Sequence, residues 1–154
     1  MVVLLVPFVA CLIATWHDVR TREVPDTLSA ILAVTGIGAA GLGWVDLELL
    51  LCLVGGLLGF LIVLPFTLSG GIGGGDLKLV TALGTWLGPR LLLQTLFWTA
   101  LAGLVFAVVA KARKQKDFAY VPAITSGLLI AVMFPGLLPG LVSRLQSVMW
   151  VSHN

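Results

Sequence analysis

The chain of 154 residues is 59% hydrophobic and only 10% charged, with a mean hydropathy of +1.11, whereas average soluble domains carry about 25% charged residues. So much apolar surface cannot be hidden in one water-soluble core of this length, and the composition predicts a single membrane-embedded domain over residues 1–154, surrounded by membrane lipid. The formal net charge of +2 is too small, and the basic residues too confined to two loops, to support a nucleic-acid partner.

Residues 1–16 are apolar apart from Thr15, about 24 Å of helix at 1.5 Å per residue, slightly short of the roughly 30 Å hydrocarbon layer. With no charged segment before it and no small-residue cleavage site ahead of the polar cluster, this stretch reads as a retained first span with Trp16 at the interface. Residues 17–27 form a polar loop in which Pro25 stops the first helix and Asp26 or Thr27 caps the next. A second span, 28–44, is rich in Gly and Ala, and Asp46 and Glu48 make a short acidic turn after it. The third span, 49–68, carries Gly55, Gly56 and Gly59, small residues that let helices approach closely in lipid. Cys11 and Cys52 stand alone in apolar runs, without the paired spacing of a disulfide or zinc site, and read as buried small hydrophobes.

The most unusual stretch follows, Gly70-Gly71-Ile72-Gly73-Gly74-Gly75-Asp76-Leu77-Lys78. Glycine loses more freedom on folding than any other residue, so such a run suits a sharp bend or a close approach of backbone. A carboxylate costs roughly 2.5 to 3.5 kcal/mol at mid-bilayer and less toward the interface, which makes Asp76 a functional candidate by default. A short fourth span, 76–88, ends at Gly88-Pro89; a fifth runs over 91–110; a basic loop, 111–117, follows; and 121–134 forms a sixth. Pro135-Gly136 and Pro139-Gly140 interrupt what comes after, and residues 141–154 either continue that span or lie along the interface. The expected fold is all-α, a polytopic transmembrane helix bundle of about six segments.

The loops after the first and fifth spans hold six of the nine Lys and Arg residues, which puts both on the cytoplasmic side. With alternating spans the glycine loop falls there too, so Asp18 and Asp76 reach the same membrane face. If their helices are neighbours, the two form a carboxylate dyad sharing a proton, since like charges a few ångströms apart do not both ionise easily. One member then accepts a proton from water while the other donates a hydrogen bond to a carbonyl oxygen, the division of labour that peptide hydrolysis requires. Glycines beside Asp76 leave room for an extended substrate strand.

Plainer readings exist for each residue. Asp18 can pair with Arg22 at i,i+4, and Asp76 can be an N-cap. No Gly-Lys-Ser/Thr follows the glycine run, so a phosphate cradle is excluded. His17, Asp18 and Asp76 could be imagined around a metal, but no second clustered His or Cys supports one, and neither metal nor cofactor is expected. Other function classes are a small proton- or cation-coupled transporter, or a non-catalytic subunit of a pilus or secretion apparatus. Against transport, no carboxylate lies within spans two, three, five or six to continue a path.

The residues around both aspartates resemble one family. Gly73-Gly74-Gly75-Asp76 fits the GxGD signature of intramembrane aspartic proteases, and Gly74-Gly75-Asp76-Leu77-Lys78-Leu79 is similar to its form in type IV prepilin peptidases. Asp18, Arg20, Arg22 and Val24-Pro25-Asp26-Thr27-Leu28 follow the order around that family's first aspartate, with Asp26 where Asn is frequent. Tyr120-Val121-Pro122-Ala123-Ile124 with Gly127 is similar to the start of the last helix in the short forms of Flp and tight-adherence pilus systems. The resemblance implies cleavage of the basic leader of a type IV prepilin or pseudopilin by an enzyme of the cell inner membrane, multi-pass, with its active site facing the cytoplasm. It implies Asp18 and Asp76 as the catalytic pair, and Gly73, Gly74, Gly75, Pro25 and Lys78 as residues that shape the loop or meet the substrate. Larger family members carry a cytoplasmic insertion with paired Cys motifs and also methylate the new N-terminus; this sequence shows no such region, so peptidase activity without N-methyltransferase activity is expected.

Overall fold

The computed structural model describes residues 4–21, 24–112 and 121–134. Within them the regular elements are all helices: α1 (Leu5–Thr21), α2 (Asp26–Gly41), α3 (Leu49–Leu68), α4 (Gly74–Ala112) and α5 (Val121–Met133). The all-α expectation holds. By length and composition two segments can cross a membrane, Leu49–Leu68 and Gly74–Phe106, while Asp26–Gly41 and Val121–Met133 are apolar but shorter. Helix length alone therefore supports fewer spans than the six apolar runs suggest. Large apolar side chains such as Val34, Leu50, Leu57 and Leu104 point outward, as they do where the neighbour is lipid.

Helix ends differ from expectation for local reasons. The first helix continues past Trp16 to Thr21 and carries His17 and Asp18 with it. Nothing between Trp16 and Thr21 breaks a helix, Arg20 complements the dipole in the last turn, and its guanidinium lies 4.1 Å from the centre of the Trp16 ring one turn back. Pro25 is the N-cap of α2, and no side-chain cap is made. Asp26, expected as a cap, instead occupies the first turn, where its charge suits the helix dipole. α2 stops at Gly41, short of Trp44: Gly43 takes a φ of 69°, and the N–H groups of Gly43 and Trp44 return to the carbonyls of Ala40 and Ala39 at 3.2 and 2.9 Å. The pairing of Asp18 with Arg22, the basic loop from residue 113 and the segment after Pro135 lie outside the described residues.

The fourth and fifth predicted spans are the two helical arms of α4, separated where predicted, at Gly88 (φ 64°, ψ 175°). Only glycine adopts that φ without strain, and Pro89 has no N–H to continue the ladder. The interruption turns the chain back on itself. A Cβ on Gly59 would meet both the Val80 carbonyl oxygen at 3.0 Å and Leu92 Cδ2 at 3.2 Å, although Val80 and Leu92 would stand about 18 Å apart along a straight helix.

α4 is the hub, packed against α2, α3 and α5. Against α3 the contact is backbone on backbone: a Cβ on Gly55 would strike the Gly84 carbonyl oxygen, and a Cβ on Gly84 would strike that of Gly55. α2 approaches through Gly36, which leaves space for Thr85 and Trp86, and Trp86 Nε1 donates to the Leu32 carbonyl at 2.8 Å. Gly127 of α5 does the same against Thr95 and Thr99. Cys11 and Cys52 are free and buried, as expected.

These seams make the glycines unequal. Gly55→Ala or Gly84→Ala forces backbone apart and is expected to destabilise the detergent-solubilised protein by about 1–3 kcal/mol. Gly38→Ala, where a Cβ meets nothing within 4 Å, should leave stability unchanged or raise it by up to about 1 kcal/mol through helix propensity. Thermal unfolding followed by circular dichroism separates the two classes.

Candidate active site

The glycine run divides into three separate jobs. Gly70 and Gly71 end α3: Gly70 has a φ of 76°, its N–H bonds the Thr67 carbonyl at 3.0 Å, and the Gly71 N–H bonds that of Phe66 at 2.9 Å, the paired closure of a Schellman turn. Gly73 opens α4, its carbonyl accepting the Leu77 N–H at 3.2 Å, and the Asp76 carboxyl stands against it: a Cβ on Gly73 would lie 3.5 Å from Asp76 Oδ2. Asp76 is the third residue of the helix and not its N-cap. Gly75 packs tightly, since a Cβ there would lie 3.0 Å from Val24 Cβ and 3.3 Å from its carbonyl oxygen. Gly74 is different: a Cβ there meets nothing within 4 Å.

A cavity of about 650 Å³ opens beside this loop. His17, Asp18 and Thr21 line it from the end of α1, Val24, Pro25 and Asp26 from the linker and the start of α2, and residues 73–76 from the third side. Of the predicted site residues, Asp18, Pro25, Gly73, Gly74, Gly75 and Asp76 all reach it. Lys78 does not; it pairs with Asp26 across the rim, Nζ to Oδ2 at 2.6 Å. Both partners are exposed, so the pair contributes at most about 1 kcal/mol, but it ties the start of α2 to the start of α4. Asp18 and Asp76 are 7% and 8% exposed and line the same cavity.

The Asp18 carboxyl is held by backbone. Pro7, Cys11, Ala14 and Asp18 are buried on α1 at a spacing of four, three and four residues, one continuous face. At the end of that face Asp18 Oδ2 accepts the N–H of Val121, the first residue of α5, at 3.0 Å. Sequence reasoning missed this bond. Pro122 marks a helix start, where N–H groups need acceptors, but nothing in the sequence assigns Asp18 to that one. A turn further along, the hydroxyls of Thr15 and Thr125 are 2.7 Å apart.

Residues 5–108 match the type IV leader peptidase family. The chain is 36% identical over 126 residues to the prepilin leader peptidase/N-methyltransferase of Neisseria gonorrhoeae, covering 75% of this chain and 43% of that protein. It is 30% identical over 136 residues to the protein of the same name from Pectobacterium carotovorum, covering 84% and 48%, and 32% identical over 79 residues to that of Bacillus subtilis, covering 49% and 32%. The chain thus spans less than half the length of these relatives. No solved structure matches it. With a family match that runs from α1 into the second arm of α4, the chain belongs to the type IV leader peptidase family.

Proposed function

We propose that this protein is a membrane aspartic endopeptidase that removes the leader of type IV prepilins or pseudopilins at the cytoplasmic face of the inner membrane. The observation that carries the reading is the meeting of Asp18 and Asp76, from helices distant in the chain, as two nearly buried carboxyls on one cavity. In the reaction, a water held between them attacks the scissile carbonyl carbon. One aspartate takes the water's proton while the other, protonated, donates to the carbonyl oxygen; the C–N bond then breaks and the leaving amine takes a proton. Gly74 gives the extended substrate an unobstructed rim, and Gly73, Gly75 and Pro25 hold the walls of the cleft. Lys78 acts on the rim through Asp26. Prepilins enter as substrates because the relatives are named prepilin leader peptidases.

The same reading sets the topology. α1, α2, α3, the two arms of α4, and α5 are the six segments, and the basic loops put the glycine loop on the cytoplasmic side. The relatives' names include N-methyltransferase; for this chain we propose peptidase activity alone, since its two cysteines are buried in α1 and α3 and form no paired motif.

Asp18→Asn and Asp76→Asn should each lower cleavage of a prepilin in membranes by at least about 100-fold while the protein still inserts; normal processing by either variant sinks the dyad. Mass spectrometry of the product, made with S-adenosylmethionine present, should find an unmethylated N-terminus. For topology, Ser69→Cys should be shielded from a membrane-impermeant maleimide in intact spheroplasts and react after permeabilisation, whereas Asp46→Cys should react in both. The reverse pattern would invert the protein.

A further inference from the structure

We propose that Thr125 is a positioning residue for Asp18, acting through a two-point clasp between α1 and α5; the inference rests on the dyad reading for its role in cleavage. Asp18 and Asp76 must be brought together, yet the described hydrogen bonds that hold α1 run to α5 and not to α4. Val121 N–H donates to Asp18 Oδ2 at 3.0 Å, and one turn along Thr15 Oγ1 and Thr125 Oγ1 are 2.7 Å apart. The Thr125 hydroxyl also reaches the Cys11 carbonyl on α1 at 3.3 Å and the Val121 carbonyl on its own helix at 3.1 Å. A hydroxyl has one proton and two lone pairs. Thr125 can therefore donate to either carbonyl while accepting from Thr15, and its oxygen is a node joining two points of α1 to α5.

The spacing gives this node its effect. Thr15 precedes Asp18 by three residues and Val121 precedes Thr125 by four, so the two bonded pairs sit about one helical turn apart, roughly 5.4 Å. A single attachment lets a helix pivot; two, one turn apart, fix its rotation and axial register. α1 packs chiefly on α5, and α5 packs on α4, so the position of Asp18 relative to Asp76 is inherited through α5. In lipid no water replaces a lost hydroxyl partner. Thr125 does not line the cavity, which makes it a positioning residue and not one that touches substrate.

Thr125→Val keeps the side-chain shape and removes the hydroxyl; Thr125→Ser keeps the hydroxyl. With purified enzyme and a prepilin, Thr125→Val should lower kcat by about tenfold or more, since displacement near 1 Å can cost about 100-fold, with KM changed less than about twofold. Thr125→Ser should restore kcat. A readout independent of cleavage is the distance between spin labels on Val19→Cys of α1 and Leu68→Cys of α3, both exposed, with Cys11 and Cys52 replaced by Ala. Electron–electron double resonance should give one narrow distribution for the parent and Thr125→Ser, and a broadened or shifted one for Thr125→Val. An unchanged distribution in Thr125→Val overturns the inference, whatever happens to kcat, and so does a broadened one with parental kcat. If the distribution broadens but the parent cleaves no prepilin, or Asp18→Asn and Asp76→Asn cleave normally, the clasp stands and the peptidase reading falls.

Discussion

Helices in a bilayer gain little from burying apolar surface against one another, because lipid is as apolar as leucine, so association rests on close packing and on hydrogen bonds. The backbone contact of α3 with α4 at Gly55 and Gly84 meets that constraint directly. Each glycine lets the other's carbonyl oxygen occupy the space a side chain would fill. Gly56 against Thr85 and Gly59 against Val80 lengthen the same seam, and the reversal at Gly88 brings Leu92 back onto it. α2 joins through Gly36 and the Trp86 to Leu32 bond, α5 through Gly127. The bundle is held by small residues set around one reversed helix.

That arrangement fixes the start of α4, and with it one wall of the cleft. Gly75 presses against Val24, while the Lys78 to Asp26 pair holds the same two elements from outside. Three glycine functions occur within six residues: helix stop at Gly70 and Gly71, helix start at Gly73, and close contact at Gly75. Only Gly74 is left without a cap, turn or contact to make. Flexibility is not what the run supplies, since each of the others has a defined partner or backbone conformation.

Much of this was legible in the sequence because it depends on local chemistry. Apolar runs bounded by Gly, Pro and charges gave the bounds of α3 and the break at Gly88. The longer α1 was legible in principle: Asp18 belongs to a helix because the next breaker is Pro25, and taking polarity at His17 as the end confused membrane depth with helix length. The Asp18 to Val121 bond and the pairing of Lys78 with Asp26 were not legible, since each joins residues from separate elements whose meeting is decided by packing around α4. The glycine run looked like one feature because composition cannot distinguish a positive φ at Gly70 from a tight contact at Gly75.

The two carboxyls of the cleft both stand at the start of a helix. Asp76 lies in the first turn of α4 with Gly73 against its carboxyl, and Asp18 accepts the N–H of Val121 at the start of α5. A backbone donor has no rotamers to lose, so Asp18 is oriented by where α5 begins and not by the settling of another side chain. The geometry of the pair is then the geometry of two helix starts, those of α4 and α5. The seam where Gly127 meets Thr95 and Thr99 seats α5 on α4, and through the Val121 bond α5 holds Asp18, so packing remote from the cleft bears on where that aspartate stands.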